Sequence, residues 1–123
     1  KLVDPSRPVV CFAGDGCFLM ASPEFATAFQ HDLPITVVVI DNAGYGSIRV
    51  HQEKRYPGRV FSTHLRNPDF VAFAKAFGGY AEEVTRTEDF TGAFDRAQAS
   101  GKPSLLHIRI DMEKILSFNP RTA

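Results

Sequence analysis

The sequence lacks the features that mark several protein classes. It has only two cysteines, Cys11 and Cys17, and their spacing matches neither a zinc site nor a disulfide framework. We therefore expect two reduced thiols, with Cys11 in the core. Positive and negative side chains balance, 14 against 14, and no dense basic run occurs. A nucleic acid or an anionic membrane surface requires such a run, so the sequence predicts neither as a partner.

Long apolar segments and nucleotide-binding fingerprints are also lacking. The longest strongly apolar run, 35–40, is far shorter than the roughly 20 residues of a membrane-spanning helix, and the N-terminus does not resemble a signal peptide. A cytoplasmic location is the resulting expectation. Neither Gly-x-Gly-x-x-Gly nor Gly-Lys-Ser/Thr is present, so the two common nucleotide-binding turns find no support.

What the chain does contain is an alternation of apolar runs of strand length with segments of helical period. This order predicts an α/β domain in which a parallel sheet lies between helices, and the length suits one domain, 1–123. We predict a buried strand at 8–12, a central strand at 35–40 that is dense in β-branched residues, and a last strand at 105–110.

Cap and breaker residues set the predicted helices. Ser22 as N-cap and Pro23 as first helical residue predict a helix to about residue 31. Further helices are predicted at 45–54, after Asn67-Pro68-Asp69 up to Gly78-Gly79, and at 87–101. We expect Phe70, Phe73 and Phe77 in the core, His31 and His64 at the surface, and His107 hydrogen-bonded in the last strand.

Two oxygen-bearing side chains follow the first two predicted strands. Asp15 comes after the first strand and Asn42 after the second, and the carboxyl ends of parallel strands meet at one edge of a sheet. A carboxylate, an amide oxygen and a loop carbonyl are hard ligands that suit Mg²⁺, with phosphate and water completing its shell. Gly14 and Gly16 let the backbone approach a phosphate closely. The alternative is that Asp15 and Asn42 are ordinary turn residues.

The order of these motifs carries a resemblance. Gly14-Asp15-Gly16, a helix, and a β-branched strand that ends at Asp41-Asn42 before Gly44-Tyr45-Gly46 resemble the thiamine-diphosphate motif of the acetolactate synthase and pyruvate decarboxylase superfamily. The resemblance runs over nearly the whole chain, including the tail Asn119-Pro120-Arg121. It implies the flavodoxin-like thiamine-diphosphate-binding fold of that superfamily.

The resemblance also implies roles for single residues. Asp15 and Asn42 bind Mg²⁺ through side chains and Gly44 through its carbonyl, while Gly16, Cys17 and Tyr45 contact the diphosphate. Cys17 departs from the serine of many relatives, and a thiol donates a weaker hydrogen bond. Tyr45 has the alternative of packing alone.

A second departure concerns the substrate. His51 stands where acetolactate synthases have a tryptophan beside the substrate pocket, so we hypothesise that His51 helps to set specificity. The polar residues from Arg49 to Arg55 that surround it have the alternative of a solvated helix face.

For the parent protein, the resemblance implies an enzyme that makes or breaks carbon–carbon bonds next to a carbonyl. Its substrates are 2-oxo acids or aldehydes, and its acid/base glutamate lies on a separate pyrimidine-binding domain, usually of another subunit. We therefore assign no catalytic residue to this chain. We read its start at Lys1 as a cut, and expect a homo-oligomeric, inactive fragment that binds the cofactor weakly. The other function class is a nonenzymatic α/β module that binds a nucleotide or a partner protein.

Overall fold

A parallel four-stranded sheet forms the centre of the molecule. The computed structural model describes residues 1–117, so the predicted fit of the tail 119–121 lies outside the described residues. The strands are β1 (Val10–Gly14), β2 (Thr36–Asp41), β3 (Tyr80–Val84) and β4 (Ser104–Arg109), in the order β1-β2-β4-β3. The pairings between these four strands are parallel, which confirms the predicted α/β class.

Helices connect the strands and cover both faces of the sheet. They are α1 (Asp15–Ala21), α2 (Glu24–Gln30), α3 (Gly46–Arg55), α4 (Phe70–Ala76), α5 (Phe90–Ala99, after a 3-10 turn at Thr87–Asp89) and α6 (Met112–Ser117). The predicted helices at 45–54 and 87–101 and the predicted strand at 105–110 match these elements to within a few residues. Within residues 1–117, no helix is long and apolar enough to cross a membrane.

Alternation along β2 and β4 divides the core in two. Val37, Val39 and Leu105 point to one face, where α1, α2 and α4 supply a phenylalanine cluster with Phe70 wholly buried at its centre. Leu106 points to the other face and packs against α5. Phe73 is partly buried as expected, but Phe77 is 38% exposed even though its ring stacks on another phenylalanine.

The first strand was predicted to be buried, and this prediction is wrong. Among the described residues β1 pairs with β2 alone and forms an edge of the sheet, so its side chains lack cover on one side. Phe12 is 68% exposed, and Cys11 is exposed instead of lying in the core. Both cysteines are free thiols, as expected.

The structure also contains elements that the sequence pattern did not reveal. Strand β3 has two glutamates among its five residues, and so little apolar alternation does not distinguish a strand from a loop. Helix α1 begins at Asp15, where the glycines suggested only a turn.

Ser22 is not an N-cap either. Ser22 and Pro23 both have helical backbone angles, and α2 starts at Glu24. The chain therefore passes from α1 to α2 without the extended residue that a side-chain N-cap needs.

Candidate functional site

The carboxyl ends of β1 and β2 bring Asp15 and Asn42 together. Asp15 is the first residue of α1, directly after β1, and Asn42 directly follows β2. The backbone N–H of Gly44 donates to Asp15 Oδ2 at 3.1 Å and to Asn42 Oδ1 at 3.0 Å. Two side-chain oxygens from distant parts of the chain thus point at one backbone group, as the strand order predicted.

Asp15 is a buried carboxylate, with only 2% of its surface exposed. Its Oδ1 accepts from the N–H of Gly16 at 2.9 Å, and its Oδ2 accepts from Gly44 and from Asn67 Nδ2, the latter at 2.7 Å. A buried charge is costly unless polar partners surround it, and these three donors supply them. The carboxylate is therefore held in one orientation, with acceptor capacity left on Oδ1.

Sequence reasoning missed three members of the site. Asn67 Nδ2 donates to Asp41 Oδ1 as well, at 2.7 Å, and His107 Nε2 donates to Asp41 Oδ2 at 2.8 Å. We call Asp15, Asp41, Asn42, Asn67 and His107 the carboxyl-end cluster. Asn67 was read only as part of a helix start and Asp41 as a strand end. No local spacing signals that they meet, although His107 was expected to be hydrogen-bonded, and it is.

The electrostatics of Asp41 reflect this packing. Burial is the largest single influence and raises its pKa, but hydrogen bonds from His107, the N–H of Ala43 and Asn67 outweigh it. The pKa of Asp41 is therefore lowered from its ordinary value. The cluster keeps Asp41 ionised beside the buried Asp15 because every carboxylate oxygen has a donor.

A neighbouring segment secures the loop after β2. The N–H of Tyr45 donates to the Thr63 carbonyl at 2.9 Å, and the N–H of Leu65 donates to the Ala43 carbonyl at 2.8 Å. Ala43 has a left-handed backbone, with φ of 55°, which the hydrogen bonds on either side hold in place. A Cβ on Gly44 would lie 2.5 Å from the Thr63 carbonyl oxygen, so this contact requires glycine.

The other predicted diphosphate contacts surround the start of α1. A Cβ on Gly16 would lie 2.5 Å from Tyr45 Cε1, so the tyrosine ring packs against this glycine. A Cβ on Gly14 would have nothing within 4 Å, which leaves open space beside that residue. Cys17 is exposed on α1. Packing of Tyr45 is thus observed, while its contact with a diphosphate stays a prediction.

The predicted specificity residue lies on α3. His51 is exposed, and with Lys54 and Arg55 it lines a shallow cationic depression. Arg49 on the same helix has a different environment, because its guanidinium pairs with Glu113 of α6 at 2.9 Å. The polar stretch from Arg49 to Arg55 is therefore only partly a solvated helix face.

As a metal site, the geometry offers one carboxylate, one amide oxygen and backbone carbonyls. In the part of the chain that the structure describes, no group of three or more His, Cys, Asp and Glu side chains is arranged to hold a metal ion. Any metal held by Asp15, Asn42 and Gly44 would depend on hard oxygen donors, of which two are neutral.

Comparison with known proteins gives a consistent result. The family model described as "Thiamine pyrophosphate enzyme, C-terminal TPP binding domain" matches residues 1–108. The chain is 38% identical over 112 residues to the acetolactate synthase isozyme 2 large subunit of Escherichia coli (strain K12), covering 90% of this chain and 20% of that protein. It is 35% identical over 97 residues to the sulfoacetaldehyde acetyltransferase of Castellaniella defragrans, covering 79% and 16%.

Solved structures show the same similarity. The thiamine diphosphate-dependent 4-hydroxybenzoylformate decarboxylase of Rhodococcus jostii RHA1 superposes with a TM-score of 0.82 at 29% identity, over 90% of this chain and 21% of that one. The benzoylformate decarboxylase of Polynucleobacter necessarius gives 0.78 at 27% identity, over 86% and 20%. The chain spans about a fifth of the length of the relatives that it matches.

Proposed function

Because this chain belongs to the C-terminal thiamine-diphosphate-binding domains of thiamine-diphosphate enzymes, we propose that its carboxyl-end loops bind the cofactor's diphosphate through Mg²⁺. Asp15 and Asn42 supply side-chain oxygens, and Gly44 supplies its carbonyl. The observation that carries this proposal is the convergence of Asp15 Oδ2 and Asn42 Oδ1 on the N–H of Gly44. The Asn42 contact alone is that of an ordinary turn, because it joins residues two apart, whereas the Asp15 contact joins residues 29 apart.

The chemistry of the donors fits the metal. Mg²⁺ prefers oxygen ligands and usually takes one or two protein carboxylates, leaving the remaining positions to phosphate and water. Asp15 is a buried carboxylate that its hydrogen bonds already orient, so little ordering remains when a cation arrives.

The backbone at the start of α1 fits the diphosphate. The open space beside Gly14 permits close approach, and Gly16, Cys17 and Tyr45 border the same turn. In this proposal the Tyr45 ring, which packs on Gly16, forms one wall of the diphosphate site. Cys17 contributes a weak thiol donor at its exposed rim.

The parent enzyme, by this proposal, makes or breaks carbon–carbon bonds next to a carbonyl, as a lyase or transferase acting on 2-oxo acids or aldehydes. Thiamine diphosphate supplies the ring that stores the electron pair released in such reactions. Support comes from relatives named as acetolactate synthase, sulfoacetaldehyde acetyltransferase and benzoylformate decarboxylase. The residues of this chain bind and orient the cofactor, and none is assigned a catalytic role.

The remaining parts of the proposal concern partners and location. A pyrimidine-binding domain, usually from another subunit, completes the site in a homo-oligomer, and the cytoplasm is the proposed location. An isolated 1–123 fragment would then release no carbon dioxide from pyruvate or benzoylformate above the rate of free cofactor. Release that is lost on Asp15→Ala would contradict this.

His51 remains our proposed determinant of substrate choice. Its exposed position beside Lys54 and Arg55 gives an acidic substrate or a partner domain access to the ring. We expect His51→Trp in the parent enzyme to change the ratio of kcat/KM values across a panel of 2-oxo acids and aldehydes. An unchanged ratio would remove His51 from the site.

Calorimetric titration of the parent protein tests the central proposal. Thiamine diphosphate should bind in the presence of Mg²⁺ and much more weakly in the presence of a chelator, while ATP and NAD should give no heat of binding. The nonenzymatic alternative predicts the reverse order of ligands.

A further inference from the structure

We propose that Asn67 is a positioning residue that holds the Asp15 carboxylate in the orientation needed for the metal. This inference rests on the proposed function, because it assigns to Asn67 a role at the same site. Asn67 itself supplies no ligand in this scheme. It acts through Asp15, by hydrogen bonds that Asp15 would otherwise lack.

Asn67 uses both hydrogens of its side-chain amide. Its Nδ2 lies 2.7 Å from Asp15 Oδ2 and 2.7 Å from Asp41 Oδ1, so one NH₂ group joins carboxylates from the ends of two neighbouring strands. Two carboxylates that close together repel each other unless a donor lies between them. An amide with two hydrogens meets that need without adding charge.

Asn67 is itself fixed to the core by the residues on either side of it. Two residues before it, the N–H of Leu65 bonds to the Ala43 carbonyl at 2.8 Å, in the loop that also carries Asn42 and Gly44. Two residues after it, Asp69 caps α4 by accepting from the N–H of Ala72 at 2.9 Å. Phe70, the next residue, has no exposed surface. Asn67 therefore transmits the rigidity of the phenylalanine core to a proposed metal ligand.

The Asp15 carboxylate has one side-chain donor and two backbone donors. Its other two donors are backbone groups, Gly16 on Oδ1 and Gly44 on Oδ2. Asn67 is the side-chain partner of this carboxylate among the described hydrogen bonds. Its replacement would remove the side-chain donor to Oδ2 and leave the carboxylate held by the two backbone donors alone, with every proposed ligand still present.

The test is the Mg²⁺ dependence of cofactor binding in the full-length protein that carries this chain. In Asn67→Leu, which is close in shape and cannot donate, the Mg²⁺ concentration for half-maximal binding of thiamine diphosphate should rise about tenfold to a hundredfold, the usual effect of losing an outer-shell partner.

A matched control lies at the opposite end of β2. Gln98 Nε2 donates to Oγ1 of Thr36, the first residue of β2, at 2.7 Å. Like Asn67→Leu, Gln98→Leu therefore removes a partly buried side-chain amide donor, but one far from the carboxyl-end cluster. We expect Gln98→Leu to lower the melting temperature without moving the Mg²⁺ midpoint. Equal Mg²⁺ midpoints in Asn67→Leu and Gln98→Leu would show that Asn67 is only structural and would overturn the inference.

Three further variants keep the outcomes separate. If Asp15→Ala leaves Mg²⁺-dependent binding intact, the proposed function itself fails; if Asp15→Ala abolishes binding while Asn67→Leu does not shift the midpoint, the inference alone fails. Should Asn67→Leu not fold, Asn67→Ser and Asn67→Ala replace it. The serine hydroxyl retains one donor, so the smaller shift is expected for Asn67→Ser, and equal midpoints in wild type and both variants would overturn the positioning role.

Discussion

The two ends of β2 both carry polar side chains, but they are satisfied in different ways. At the amino end, the buried Thr36 accepts one neutral hydrogen bond from Gln98. At the carboxyl end, Asp41 accepts from His107, Asn67 and the N–H of Ala43, and a second carboxylate, Asp15, shares the same asparagine.

This difference separates a structural polar contact from a candidate site. A buried neutral hydroxyl is satisfied by one hydrogen bond, whereas a buried carboxylate needs several. Placing two carboxylates side by side therefore adds little to the stability of a fold. Such a concentration of charge at one edge of a sheet is typical of ligand sites.

The largest effect is expected at the proposed metal ligands. In the parent enzyme, Asp15→Ala should weaken Mg²⁺-dependent binding of thiamine diphosphate by about a hundredfold or more, because a charged partner is lost. Asn42→Ala should weaken the same binding by about tenfold, since a water can replace a neutral oxygen. At the opposite end of the strand, Thr36→Val should leave the dissociation constant unchanged. Unaltered affinity in Asp15→Ala, measured by calorimetry, would contradict the proposal that Asp15 binds the metal.

Alanine substitutions at Gly44 and Gly14 are expected to have different effects on the stability of the fold. Gly44→Ala places a methyl group 2.5 Å from the Thr63 carbonyl oxygen and should destabilise the fold by about 1 to 3 kcal/mol. Gly14→Ala meets no atom within 4 Å, and its φ of −68° suits alanine, so its unfolding free energy should change by less than about 0.5 kcal/mol.

Cofactor binding is the second property that distinguishes Gly14 from Gly44. Gly14→Ala should still weaken cofactor binding, because the methyl group enters the space that we assign to the diphosphate. Thermal unfolding without cofactor and titration with thiamine diphosphate measure the two quantities. Normal cofactor affinity in Gly14→Ala would show that the diphosphate does not bind beside Gly14.

A smaller effect is expected from the pH dependence of stability. Because the folded-state pKa of Asp41 is lowered, its carboxylate stabilises the fold fully above its ordinary pKa of about 4 and loses this contribution as the pH falls through the folded value. Asp41→Asn should remove about 1 to 3 kcal/mol at pH 7 and progressively less below pH 4. Denaturant unfolding in metal-free buffer checks this. A constant difference between wild type and variant down to pH 2 would contradict it.

The smallest effect is expected at Cys17. The residue is exposed on α1, so Cys17→Ser should leave the unfolding free energy within about 0.5 kcal/mol. If residue 17 contacts the diphosphate, the stronger hydroxyl donor should tighten cofactor binding by a few fold. An unchanged dissociation constant would place Cys17 at the rim of the site without a contact.

Much of the architecture could be predicted because it depends on local pattern. The β-branched run before Asn42 is buried on both faces of the sheet, and the phenylalanine spacing in α4 buries one side of that helix; each leaves a local pattern in the sequence. The convergence of Asp15 and Asn42 could also be predicted, because parallel strands end at one edge.

The predictions that were wrong or missing concern strands whose burial depends on neighbouring strands. Strands β1 and β2 have similar apolar sequences, but β1 lies at the described edge of the sheet, so Phe12 and Cys11 are exposed. Composition does not reveal how many partners a strand has. Likewise β3 is a strand because it pairs with β4, although its own residues alternate poorly.

The α/β class, the order of most elements and the meeting of Asp15 and Asn42 at the strand ends follow from the sequence, because periodicity and turn residues are local properties. Which side chains hold the Asp15 and Asp41 carboxylates depends on the tertiary structure alone. Asn67 lies 52 residues from Asp15 and 26 from Asp41, and His107 lies 66 residues from Asp41. Hydrogen bonds between side chains so far apart arise from the packing of α4 and β4 against the ends of β1 and β2, and no spacing along the chain encodes them.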